Sequence, residues 1–222
     1  APGYNAAFDL LAAFSLLDLR AECAQFLRDT QAAWDEVYPE FVRRELGIPP
    51  ADATRADALA LMRARSFDAG FPWETMQERI LGQVASMGIS ADADGRVIFD
   101  TGDRAGTRAR AFCSPVRVPE EIYLELRAHG GQNDWNTFLH ELGHALHFAY
   151  MRPDLAFEYR WLGDNSITEG YAMLFDHRMQ DPNWLARNTS LGKAEVPRFL
   201  RSAGFEELQF LRRYCAKLIY ET

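Results

Sequence analysis

His140-Glu141-Leu142-Gly143-His144 constrains this chain more than any other stretch of it. Two histidines four residues apart face the same way on an α-helix, about 6 Å apart along its axis. Both imidazoles can then reach one metal ion at about 2.0–2.1 Å. Glu141, roughly 100° further round the helix, cannot easily share that coordination but can reach a water that the ion activates. The string therefore predicts a helix carrying zinc chemistry, in which the metal lowers the pKa of water and a carboxylate takes its proton during attack on a carbonyl. Neighbouring residues agree with a helix: Asn133 or Asp134 can cap it, Phe138, Leu142 and Leu146 can face a core, and Pro153 ends the run. Gly143 costs about 1 kcal/mol in a helix interior. Its presence implies close approach of a second element to this helix.

A catalytic zinc site keeps three protein ligands and one open position, so a third ligand is needed. His147 shares a face with His140 but lies about 10.5 Å along the axis, too far for both to bind one ion. It is expected to support or pack against the site instead. Glu169, 25 residues after His144, stands early in a helix expected to begin near Ser166. Antiparallel packing could bring it over the metal. A local reading competes, because Ser166-Ile167-Thr168-Glu169 fits a capping box in which Glu169 bonds back to its own helix start. Asp164 is the reserve ligand. Asp176, two turns beyond Glu169, either orients a histidine from behind or faces solvent.

His140-Glu141-Leu142-Gly143-His144-Ala145-Leu146-His147, followed by Glu169 and Asp176, resembles the thimet oligopeptidase and oligoendopeptidase F family. Its members pair an H-E-x-G-H-x-x-H helix with a later glutamate and an acidic residue at the position of Asp176. The resemblance spans roughly residues 95–180 and is faint before Phe67. It implies Zn²⁺ held by His140, His144 and Glu169, with Glu141 as general base. It also implies a zincin-like catalytic region of a helical oligopeptidase fold, with the zinc deep in a channel between two halves and short peptides as substrates. Family members stabilise the tetrahedral intermediate with tyrosine and histidine side chains well downstream of the zinc glutamate. Tyr214 and Tyr220 follow here, but nothing matches that later motif. The alternative reading is a non-catalytic zinc- or peptide-binding module, or an inactive fragment lacking those oxyanion donors. An apolar stripe of Phe205, Leu208, Leu211, Cys215 and Leu218 runs almost to Thr222 without a capping residue, so the chain is expected to stop inside a longer protein.

The remainder frames this centre. Residues 6–87 read as helical: Phe8, Leu11, Phe14, Leu17 and Leu19 begin an apolar face that Cys23, Phe26 and Leu27 continue. After a break at Gly47-Ile48-Pro49-Pro50, a helix is expected through Ala58, Leu61 and Met62, and another over 73–86. Strands are expected at 97–100, 111–113, 116–118 and 122–126, with Pro119 confining the last stretches to an edge or a break. An edge strand there could hold an extended peptide, or form an ordinary hairpin. Helices are expected near 134–151, 166–180 and 196–220. The predicted fold class is mainly α with a small antiparallel β-sheet. A helical region over 1–94, structural or cleft-lining, would precede a catalytic region over 95–222.

The net charge of −8, from 24 basic and 32 acidic residues, argues against nucleic acid and anionic membrane surfaces as partners. No apolar run approaches the roughly 20 residues that span a bilayer, and no obligate protein partner is evident. Cys23, Cys113 and Cys215 are odd in number and show no C-x-x-C spacing, which predicts buried thiols in a reducing cytoplasm. Cys113 has no basic neighbour in sequence to make it a nucleophile. His129, beside Gly130 and Gly131, reads as a loop residue.

Overall fold

A computed structural model describes residues 3–12, 14–61, 63, 65–102, 111–161 and 164–222; Met62, placed above in a helix, lies outside them. In chain order the elements are α1 (Tyr4–Ala12), α2 (Leu16–Asp29), α3 (Gln31–Phe41), α4 (Arg55–Leu61), α5 (Trp73–Ser86), β1 (Val97–Asp100), β2 (Phe112–Arg117), β3 (Glu121–Glu125), α6 (Gln132–Ala149), α7 (Phe157–Trp161), α8 (Asn165–Asp176), α9 (Pro182–Asn188) and α10 (Glu195–Glu221). The protein is mainly α with a small sheet. Two compact units arise, Ala1–Met62 with Arg201–Thr222, and Arg63–Leu200. They are drawn differently from the division at residue 94 that patterning suggests: α5 groups with the strands, and the C-terminal residues group with the N-terminal helices.

In the first unit, Ser15 caps α2 by accepting from the Asp18 N–H, and Asp9 accepts from the Leu16 N–H. This break resets the helical phase, so the apolar positions on either side no longer share one face. The stripe expected through Leu11 and Leu17 is consequently not a core face: Leu11 is 86% exposed and Leu17 59%, while Leu16 is buried. The core here is Phe41, Val42, Leu61 and Phe205, with the Phe41 and Phe205 rings stacked 4.3 Å apart.

In the second unit α6 is the central helix. Trp135, Phe138, Leu139, Leu142, Ala145, Leu146 and Ala149 are buried along it, the spacing of one wide helical face. Met76, Ile80 and Val84 of α5 join this core. The three strands lie in the order β1-β3-β2. A short turn joins β2 to β3, which permits only antiparallel pairing, as expected. β1, however, sits on the far side of β3 and runs parallel to it, so the sheet is mixed. The stretches expected at 111–113 and 116–118 merge into one edge strand, with Pro115 beside an irregularity in the ladder, where a missing N–H is tolerated.

Neither Asn133 nor Asp134 caps α6. Gly131 occupies the cap position at φ 93°, and the first N–H, of Gln132, is satisfied by the Asp68 carboxylate at 3.1 Å. A Cβ at Gly131 would stand 2.2 Å from that carboxylate oxygen. Buried Asp134 instead accepts from the His129 and Gly130 N–H groups at 2.7 Å each, fixing the loop before the helix. At the other end Arg96 donates to the Ala149 carbonyl at 2.6 Å, a cation placed where helix carbonyls lack partners. Among the described residues no helix is long and apolar enough to cross a membrane.

Candidate metal centre

α8 packs directly on Gly143. A Cβ at that position would stand 2.5 Å from the Tyr171 carbonyl oxygen and 2.6 Å from the Ala172 Cα. α8 is therefore the second element that the glycine implied. Its approach carries Glu169 over the two histidines, with Glu169 Oε2 at 3.5 Å from His140 Nε2 and 3.8 Å from His144 Nε2. Donors about 2.0–2.1 Å from one ion at tetrahedral angles stand roughly 3.4 Å apart. The three ligand atoms lie within 4.8 Å of one another and could hold a metal ion. Among the described residues no fourth His, Cys, Asp or Glu joins the group.

The competing roles for Glu169 and Asp164 resolve at the start of α8. Asp164 is the N-cap, accepting from the Ser166 N–H at 2.8 Å. The capping box does not form, and Glu169 points to the histidines. Asp164 is spent on the helix start and lies outside the group.

Each histidine is held from behind through Nδ1. His140 Nδ1 lies 2.9 Å from Asp176 Oδ2, and His144 Nδ1 lies 2.8 Å from Thr168 Oγ1. Such contacts fix ring orientation and tautomer, leaving both Nε2 atoms to converge. Of its two readings Asp176 takes the orienting one. Thr168 was not singled out in the sequence; adjacency to Glu169 is the only local signal it gives. His147 stands outside the group, its ring stacked on Tyr171 at 4.6 Å and 9°, so packing is its role.

Glu141 Oε2 accepts from the Cys113 main-chain N–H at 2.7 Å. Cys113 pairs with Leu124 across the ladder, and its N–H turns outward from the edge strand towards α6. Burial pushes the Glu141 carboxyl up from its ordinary range, opposed by the charge of His140 and by the Cys113 N–H. The hydrogen bond that its Nδ1–H donates to Asp176 raises His140, whereas burial, followed by the charge of His140, lowers His144. Burial, then the Glu141 charge, pushes the Cys113 thiol up to about 12, which leaves it inert as a nucleophile. His129 serves through its main-chain N–H on Asp134.

No family model, curated protein or solved structure matches this chain. The reading of the centre rests on the motif and on the placement of these side chains.

Proposed function

We propose that this chain is the catalytic part of a zinc-dependent peptidase acting on short peptides, of the kind that the thimet oligopeptidase resemblance implies. The observation that carries the proposal is the convergence of His140 Nε2, His144 Nε2 and Glu169 Oε2 beside Glu141. Two imidazoles and a carboxylate suit zinc. Three donors, with no fourth among the described residues, suit a site that keeps a position open for chemistry rather than a closed structural one.

In this reading His140, His144 and Glu169 hold the ion, and Asp176 and Thr168 aim the imidazoles. The ion, when bound, supplies Lewis acidity, lowering the pKa of a water and polarising the scissile carbonyl. Glu141 takes the proton from the attacking water and delivers it to the leaving amine. Its burial-raised pKa brings it nearer the pH at which it works. Cys113 N–H holds Glu141 Oε2 and leaves Oε1 for the proton. The outer edge of β2 borders this carboxylate, so an extended peptide paired there lies within reach of Glu141. A cytoplasmic setting fits the three free cysteines.

The test is zinc content after reconstitution, together with cleavage of a quenched fluorescent peptide by the parent chain and by Glu141→Gln. One zinc per chain is expected in both, with the rate in the variant lower by about 10²–10⁴-fold. Failure to take up zinc overturns the metal centre. Zinc uptake with no cleavage by the parent chain points to a non-catalytic zinc-binding module.

A further inference from the structure

In the first unit α2 and the C-terminal part of α10 run antiparallel, clamped by two arginines. Arg20 donates to the Ile219 carbonyl at 2.6 Å and to Thr222 Oγ1 at 3.1 Å. Arg212 donates to the Leu27 carbonyl at 2.9 Å, to Thr30 Oγ1 at 2.6 Å and to Gln31 Oε1 at 2.6 Å. Numbers rise along one helix as they fall along the other. Cys23 lies between Arg20 and Leu27, and Cys215 between Arg212 and Ile219, so this register sets the two cysteines opposite each other. Both are half-buried free thiols, and Cys215 is near enough to Cys23 to act on its titration.

We infer that Cys23 and Cys215 form a dithiol site that small-molecule disulfides oxidise to an intrachain disulfide, joining α2 to α10. One protein thiolate attacks a sulfur of R–S–S–R, the R–S–S–R bond breaks, and one R–S⁻ leaves. The second protein thiolate attacks the protein sulfur of that mixed disulfide, forming the Cys23–Cys215 bond and releasing the second R–S⁻. Two protons pass from the protein thiols to the departing thiolates. The protein loses two electrons, and the small disulfide gains them as two thiols. Burial, followed by the neighbouring Cys215 thiol, pushes the Cys23 thiol up to about 11. Its thiolate is therefore scarce at neutral pH, and the exchange quickens as pH rises. In a reducing compartment the pair rests as two thiols. Cys113 belongs to the other unit and takes no part.

The experiment treats the full chain with oxidised glutathione at alkaline pH, followed by alkylation, intact mass and peptide mapping. Free thiols should fall from three to one with no glutathione mass retained, and one pair of peptides should be joined through Cys23 and Cys215. Cys23→Ser or Cys215→Ser should instead keep glutathione on the remaining member of the pair, because no second thiol is there to displace it. Glutathione retained on the parent chain, cross-links between chains, or three thiols still free would each overturn the inference.

Discussion

Thr168 Oγ1 lies 2.8 Å from His144 Nδ1, while the next residue, Glu169, places a carboxylate oxygen 3.8 Å from Nε2 of the same ring. One turn of α8 thus addresses both nitrogens of His144. The hydroxyl decides which nitrogen is free to meet a metal, and the carboxylate stands beside that nitrogen. Thr168→Val keeps the shape and removes the hydroxyl, so zinc affinity should fall by about 10–100-fold. Thr168→Ser should retain most of it. Competition against a chelator of known affinity checks this, and equal affinities for Thr168→Val and the parent would remove Thr168 from the support of the site.

Glu169 and Asp164 exchange the roles that a local reading offers them, and paired substitutions separate the two. Glu169→Gln and Glu169→Ala should stay folded, since the cap of α8 is Asp164, yet bind zinc more weakly by orders of magnitude. Asp164→Ala should lower the urea midpoint, through loss of the cap, with zinc affinity unchanged. Zinc titration and urea unfolding of the three variants give the outcome. The opposite pattern would return Asp164 to the ligand set.

Gly143→Ala sets two effects against each other. Alanine gains about 1 kcal/mol of helix propensity over glycine, but its Cβ would stand 2.5 Å from the Tyr171 carbonyl. A backbone neighbour cannot swing aside as a side chain can, and overpacking of this sort costs about 1–3 kcal/mol. The expected net result is a lower urea midpoint and weaker zinc binding, because α8 carries Glu169. A variant more stable than the parent would contradict the close packing of the two helices.

Glu206 makes stability depend on pH. Its Oε1 is sealed from solvent without a hydrogen-bond partner, and burial raises its pKa from 4.5 to about 8. Because the folded value exceeds the unfolded one, this contribution to stability is fully present below pH 4.5 and is lost as pH rises to about 8. Within that window the slope approaches about 1.4 kcal/mol per pH unit. Glu206→Gln should flatten the slope and be more stable than the parent above pH 8. Urea midpoints at pH 5.5 and 8.5 test it; parallel losses in both proteins would assign the pH dependence elsewhere.

Local features were legible in the residues alone. The helix at α6 and the shared face of His140 and His144 follow from a period of 3.6 residues, and the bounds of α5 follow from a proline break and an apolar repeat. Gly143 announced a close neighbour without naming it. Tertiary structure alone decided which neighbour arrives: α8 on Gly143, Asp68 rather than Asp134 at the head of α6, Thr168 behind His144, Cys113 on Glu141 and Cys23 against Cys215. It also decided that β1 lies parallel to β3 and that the expected N-terminal stripe is broken at Ser15. Periodicity reports which face of an element is apolar. It carries no information about what that face meets, because the partner is chosen by packing between residues far apart in the chain, and many pairings satisfy the same pattern.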